Sequence, residues 1–265
     1  MSFQDKVVWV TGASSGIGRA VALEFSKQGA KLILSSRNEE TLKEVRKACK
    51  KPDDVFVLPL DLEDYLNFDE KAKTACEAFG QLDILFNNGG VSQRSLALDT
   101  DIAVDKRIMD INYFGTIALT KAVLPYMIEK KTGQIVTITS ITGKVATPAR
   151  TAYAASKHAL HGFFDSLRSE VYEHNIGVTL VCPGYIQTNL SYNALTGDGT
   201  KQNKGDAALE KGIAPEVLAQ KLMKGIAARK NEIIIGGLKE TASVYLKRFA
   251  PNLLVRLVRD INKED

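Results

Sequence analysis

Val7-Val8-Trp9-Val10-Thr11-Gly12-Ala13-Ser14-Ser15-Gly16-Ile17-Gly18 is the stretch that decides the fold. Residues 7–10 form an unbroken apolar run, the mark of a strand buried on both faces. Three glycines follow at once. Residues 16–28 then carry Ile17, Val21, Ala22 and Phe25 at helical spacing. Outward from this strand–turn–helix unit the alternation continues. Strands are expected at 32–35, 55–59, 82–86, 135–139, 178–182 and 232–235. Helices are expected at 38–50 with Asn38 as N-cap, at 64–79, 102–129 and 152–174, and at 215–229 with Pro215 in its first turn. Such alternation predicts an α/β fold in one domain, a doubly wound parallel sheet of about seven strands with helices on both faces.

Composition narrows the class. The 265 residues are 45% apolar and 25% charged, which excludes wholesale disorder. A net charge of +4 arises from 35 basic and 31 acidic side chains that mostly alternate, so no nucleic-acid partner is expected. No apolar run approaches the roughly 18 residues of a membrane span, and no signal peptide is expected. Cys49, Cys76 and Cys182 are odd in number and unclustered. They suit neither a disulfide framework nor a zinc site, and the expectation is a cytoplasmic protein in a reducing setting. His158 and His161 have no carboxylate or cysteine partner in the sequence pattern, so no metal is expected. Cys182 reads as a buried small hydrophobe.

The glycine spacing is G-x-x-x-G-x-G rather than G-x-G-x-x-G, but the physics is shared. Gly12, Gly16 and Gly18 let the backbone turn tightly and let a pyrophosphate approach. Ser14, Ser15 and Ile17 complete the turn, and the following helix offers free N–H groups to an anion. Specificity is read at the end of the second strand. An NAD site places a carboxylate there for the ribose 2′-hydroxyl. Here the residues are Ser35-Ser36-Arg37. Arg37 can fork onto a 2′-phosphate, with Arg19 as a second cation, so NADP(H) is the expected cofactor.

Tyr153-Ala154-Ala155-Ser156-Lys157 puts Tyr and Lys four apart on one helical face. Ser140 follows the strand at 135–139, at the sheet end where open α/β folds bind ligands. Together with Thr11–Gly18, Asp61-Leu62, Asn87-Asn88-Gly89-Gly90, Asn112 and Pro183-Gly184 with Thr188, these motifs make the chain similar to the short-chain dehydrogenase/reductases. The resemblance spans residues 5–190 or so and implies a Rossmann fold continuing to about 236. It implies that Tyr153 is the general acid/base, aided by Lys157 and Ser140, and that Lys157 also holds the nicotinamide ribose. Asn112 would anchor a proton-relay water, Asp61 would contact the adenine with Leu62 beside it, and Asn88 and Gly89 would support the cofactor. Pro183, Gly184, Ile186 and Thr188 would flank the carboxamide, with hydride leaving the pro-S face. Two departures stand out. Gly90 replaces the usual Ala, read as added backbone freedom, and Thr139 stands where many members have Ser.

Beyond the core at 5–236, residues 190–214 are expected to form a lid, centred on the Gly/Asn/Thr/Lys-rich 191–205. Residues 237–265 read as two short amphipathic basic helices broken at Pro251. They could pack in a homodimer or homotetramer, or rest on a membrane surface through 240–260. Asn112-Tyr113-Phe114-Gly115, Pro183–Ser191 and Val244-Tyr245-Leu246 resemble the member-seven-B branch of the family. That branch implies lipid-like carbonyl substrates. Its animal members carry an N-terminal anchor, and none is expected here. The leading expectation is reversible, NADPH-dependent reduction of an apolar ketone or aldehyde. A 3-oxoacyl-thioester reductase and a non-catalytic NADP-binding sensor or scaffold are the alternatives.

Overall fold

The computed structural model describes residues 3–259. Seven parallel strands form one sheet: β1 (Val7–Thr11), β2 (Lys31–Ser35), β3 (Val55–Val57), β4 (Ile84–Asn87), β5 (Gly133–Ile138), β6 (Ile176–Pro183) and β7 (Glu232–Ile235). Their order is β3-β2-β1-β4-β5-β6-β7. The chain winds outward from β1 in one direction and from β4 in the other. A crevice therefore opens between the carboxyl ends of β1 and β4, where neighbouring connections diverge.

Helices cover both faces. They are α1 (Gly16–Lys27), α2 (Glu39–Ala48), α3 (Phe68–Ala78), α4 (Ile102–Met109), α5 (Gly115–Lys130), α6 (Thr151–Glu170), the short α7 (Ala207–Glu210) and α8 (Pro215–Ala227), followed by α9 (Leu238–Phe249) and α10 (Pro251–Arg259). The two-residue period of a strand divides the core in two. Val8, Val10, Leu32 and Leu34 pack with Phe25 of α1 and Leu218, Leu222 and Ile226 of α8. Trp9 and Ile33 point the other way, toward Phe68, Leu119, Val123 and Phe164 of α3, α5 and α6. Trp9 is fully buried, so its indole N–H needs a partner. It donates to Ser35 Oγ at 2.8 Å, and that hydroxyl donates onward to the Leu58 carbonyl.

Asn38 caps α2 as expected, its side chain accepting from Thr41 N at 3.0 Å. Two helices differ from expectation. α3 starts at Phe68 rather than 64. Asp61 draws the chain into a turn first, its side chain and carbonyl accepting from Glu63 N and Asp64 N, and such local bonds compete with helix. The expected helix at 102–129 is interrupted by a π turn, Asp110–Phe114, between α4 and α5. The residues 190–214 lie folded against the body. Arg94 N donates to Leu195 O and Leu195 N donates to Ser92 O, both at 2.9 Å, and Ala194 and Leu195 are buried. The tail at 237–265 is described to Arg259 and is helical, with the break at Ala250 before Pro251. No helix among the described residues is long and apolar enough to cross a membrane.

Candidate active site

The cleft begins at the turn from β1 into α1. Gly12 and Gly16 have left-handed backbones, with φ of +61° and +52°. A Cβ on Gly12 would lie 2.8 Å from Asn88 Nδ2, and one on Gly16 would lie 3.1 Å from Thr188 Cγ2. The loops after β1 and β4 are therefore in backbone contact. Thr11 Oγ1 locks them by accepting from Asn88 N at 2.9 Å and Gly89 N at 3.1 Å. Asn88 Nδ2 donates back to the carbonyls of Thr11 and Gly12. Ser15 precedes α1 without capping it, and no acidic residue stands in the first turn. The positive end of the helix is thus open to an anion.

Of the sequence-predicted cofactor residues, Gly12, Ser14, Ser15, Gly16, Ile17, Arg37, Asp61, Leu62, Asn88, Gly89, Pro183, Gly184, Ile186 and Thr188 line one cleft of about 690 Å³ with Tyr153 and Lys157. Gly18 and Arg19 stand outside its wall. Gly18 lies behind it, where a Cβ would strike the Gly12 carbonyl and come within 2.6 Å of Asn88 Nδ2. Arg19 is partly buried on α1, and its charge is felt by Cys49. Arg37 is exposed at the cleft rim. A left-handed glycine cradle, an uncapped helix start and a cationic rim fit a dinucleotide phosphate chain.

At the far end of the cleft α6 presents Tyr153 and Lys157, one helical turn apart and both buried. Lys157 Nζ donates to the Ile138 carbonyl at 3.0 Å and lies 5.8 Å from the centre of the Tyr153 ring. Burial pulls the Lys157 ammonium down to about 8. Burial pushes the Tyr153 phenol up, and a hydrogen bond from Ser140 with the charges of Arg150 and Arg94 opposes that rise. The opposing cations here are two arginines that sequence spacing did not reveal. Ser140 Oγ accepts from Thr142 N at 3.0 Å, which fixes its rotamer. Asn112 sits in the π turn with its amide fully used: Nδ2 donates to Val91 O and Ser156 Oγ, and Oδ1 accepts from Val91 N. A Cβ on Gly90 would fall 2.9 Å from Asn112 Oδ1, and Gly90 is not among the positive-φ residues. Glycine there supplies room rather than the backbone freedom expected.

A second cavity, of about 770 Å³, adjoins the first. Ser140, Tyr153, Pro183, Gly184, Leu190 and Leu209 line both. Its outer wall is the tail, with Tyr245, Leu246 and Phe249 on α9 and Leu254, Leu257 and Val258 on α10. Glu240 ties α9 down by accepting from Gly237 N and Tyr185 N. Arg94 and Arg150 also line this cavity, each donating to Asp206 Oδ2 at 3.1 Å. Sequence reasoning assigned the tail an outward role and missed Glu240, Arg94 and Arg150. Their only available signal was charge adjacent to the lid.

The histidine expectation needs correction for His161. Its Nε2 lies 3.7 Å from Cys182 Sγ, and Glu232 Oε1 lies 3.9 Å from the same sulfur. α6, β6 and β7 bring these together across long sequence gaps, which no spacing rule reads. His158 instead contacts the Ala154 carbonyl and Lys247 Nζ. Cys182 is fully buried, as expected.

Comparison with known proteins agrees with this geometry. Residues 6–198 match the family described as short chain dehydrogenase. The chain is 46% identical over 254 residues to Dehydrogenase/reductase SDR family protein 7-like of Anopheles gambiae, covering 94% of this chain and 80% of that protein. It is 43% identical over 262 residues to Dehydrogenase/reductase SDR family member 7B of Bos taurus, covering 96% and 81%. A short chain dehydrogenase/reductase from Burkholderia phymatum, solved in complex with NAD, shares the fold with a TM-score of 0.83 at 24% identity, over 96% of each chain.

Proposed function

The chain belongs to the short-chain dehydrogenase/reductase family, an oxidoreductase of its member-seven branch, and from that premise we propose that it reduces an apolar ketone or aldehyde with NADPH, reversibly. One observation carries the reading. Ser140 and Tyr153 stand where the dinucleotide cleft meets the tail-walled, largely apolar cavity. A carbonyl placed there would have the cofactor on one side and its hydrophobic body on the other.

When bound, the nicotinamide supplies the hydride to the carbonyl carbon. Tyr153 donates its phenolic proton to the carbonyl oxygen as charge grows on it, and in oxidation its phenolate takes that proton back. Ser140 is held by Thr142 N, and its O–H, which reaches Tyr153 in the structure, would turn to the same oxygen and stabilise the developing charge. Lys157, still mostly charged at neutral pH with a pKa of about 8, replaces the proton from its buried position. Asn112 holds Val91 and the start of the π turn. Its amide ties Val91 to Ser156, and a relay water would be anchored at this turn. The tail and the folded lid exclude bulk water from this junction.

Arg37 and the absence of a carboxylate at Ser35-Ser36 support NADPH over NADH. Away from the cavity α9 and α10 expose Leu238, Leu253 and Val255 near basic residues, which suits a second subunit or a membrane surface. The test is consumption of NADPH and NADH against a panel of small ketones, lipid-like ketones, aldehydes and 3-oxoacyl thioesters. We expect NADPH to be preferred and long apolar carbonyls to give the highest kcat/KM. Arg37→Ser should cost NADPH, not NADH, roughly 10- to 100-fold, the worth of a charge-assisted bond. A preference for NADH, or cofactor binding without turnover on any carbonyl, would overturn the reading.

A further inference from the structure

Behind the catalytic end of the sheet, the reaction leaves three potential ligands unused. His161 stands on α6 one turn beyond Lys157, Cys182 directly precedes Pro183 at the end of β6, and Glu232 begins β7. Their ligating atoms all lie within 4.8 Å of one another. We propose that His161, Cys182 and Glu232 form a binding site for a single soft divalent cation, zinc in the first instance, that ties α6, β6 and the edge strand β7 together.

The geometry is close to that of a ligated site. With Zn–S of about 2.3 Å and Zn–N of about 2.0–2.1 Å, a tetrahedral ion sets sulfur and nitrogen roughly 3.6 Å apart. The observed Sγ···Nε2 separation is 3.7 Å and Sγ···Oε1 is 3.9 Å. The third pair, His161 nitrogen to Glu232 oxygen, lies within 4.8 Å, against roughly 3.4 Å around a tetrahedral ion, so the exposed Glu232 carboxylate would swing inward by about an ångström to complete three protein ligands, with water in the fourth position. The donor set is also suitable, since thiolate and imidazole select zinc-like ions over magnesium or calcium.

A second observation comes from His161 itself. The residue is 8% exposed, yet its Nδ1 has no hydrogen-bond partner and its Nε2 meets only the long contact to sulfur. Buried polar rings are normally better satisfied than this; coordination would replace the long sulfur contact at Nε2, with the ring proton on Nδ1. Thr139 Oγ1 donates to the Val181 carbonyl at 2.8 Å and lies 3.4 Å from Cys182 Sγ, so it would have to turn from that carbonyl to support a thiolate as outer-shell donors do. On binding, the ion replaces the thiol proton, which leaves to solvent: the S–H bond breaks and the S–metal bond forms.

Other charges bear on the site. Lys144 Nζ sits 2.7 Å from Glu232 Oε1, and Asp165 is near His161 on α6. Lys144 competes with a cation for Glu232. A carboxylate offers about four lone-pair positions, so it can serve both, but removing the lysine charge should tighten binding.

The experiment titrates the chelator-treated full chain with Cd²⁺ or Zn²⁺ alone, without cofactor or substrate. Cadmium reports through its thiolate charge-transfer absorption and zinc through competition and a rise in Tm. We expect saturation at one ion per chain, and no band in Cys182→Ser. Glu232→Gln, at an exposed carboxylate that should leave the fold intact, should weaken binding roughly tenfold or more. Lys144→Gln should tighten it about two- to fivefold, the range of a part-exposed ion pair. Cys49→Ser and Cys76→Ser should leave it unchanged. Absence of a thiolate band, its persistence in Cys182→Ser, or indifference to Glu232→Gln would overturn the proposal.

Discussion

At the residue scale, the proposed chemistry turns on a phenol that burial makes hard to ionise. Tyr153 is buried, and the charges that oppose its raised pKa are those of Arg150 and Arg94. The sign follows directly. Removing a cation lifts the phenol further, so the rise of alcohol oxidation with pH, which needs phenolate, should move alkaline. The fall of carbonyl reduction, which needs phenol, should move the same way. For Arg150→Gln we expect the pH profiles of kcat/KM in both directions to move alkaline, and an unmoved profile would remove Arg150 from the tuning of the phenol. Tyr153→Phe keeps the ring and removes the proton. Cofactor binding should stay within about threefold while kcat falls roughly 10²- to 10⁴-fold, measured by titration and steady-state kinetics. The Tyr–Lys pair was legible from four-residue spacing. The arginines were not, because residues 94 and 150 meet only after β4, α6 and the lid are folded together.

At the element scale, local pattern located most strands and helices, and failed where side-chain chemistry interrupts the period. Asp61 delays α3 through its own hydrogen bonds, and the π turn at Asp110–Phe114 breaks a run whose apolar spacing gives no warning. The tail is the instructive case. Its amphipathic pattern was readable, but an apolar stripe does not say what it faces. Here α10 turns Leu254 inward, 7% exposed, onto the cavity beside the catalytic residues. Burying a leucine is worth about 1.5–3 kcal/mol, and a carboxylate in its place would have to leave the apolar wall. Leu254→Asp should therefore undock α10. The expected result is a 10- to 100-fold loss of kcat/KM for a long-chain carbonyl, on the order of that energy. A small carbonyl should lose no more than about threefold, because it needs little of the wall. Equal losses for both substrates would remove the tail from the substrate site.

At the scale of the whole molecule, the cofactor cleft is made by two halves of the sheet that meet at β1 and β4. Ligand in the cleft should stabilise the entire domain. NADP⁺ at about a hundredfold its Kd adds about 2.7 kcal/mol, which for a domain of this size raises Tm by roughly 5–10 °C in a thermal scan. Gly12→Ala should abolish the rise. Its Cβ would press on Asn88 at the contact between the two loops, and φ of +61° is strained for alanine.

By itself the sequence determined the strand–helix alternation, the glycine cradle, the cationic end of β2 and the Ser140–Tyr153–Lys157 set. Each of these depends on residues close in the chain or on side chains borne at strand ends, where order along the sheet nearly dictates position. Tertiary structure alone decided which charges reach Tyr153, that the tail walls the cavity proposed for the substrate, and that His161, Cys182 and Glu232 converge. Those contacts join segments far apart in sequence, and their partners are chosen by packing and sheet order, not by any periodicity the chain displays.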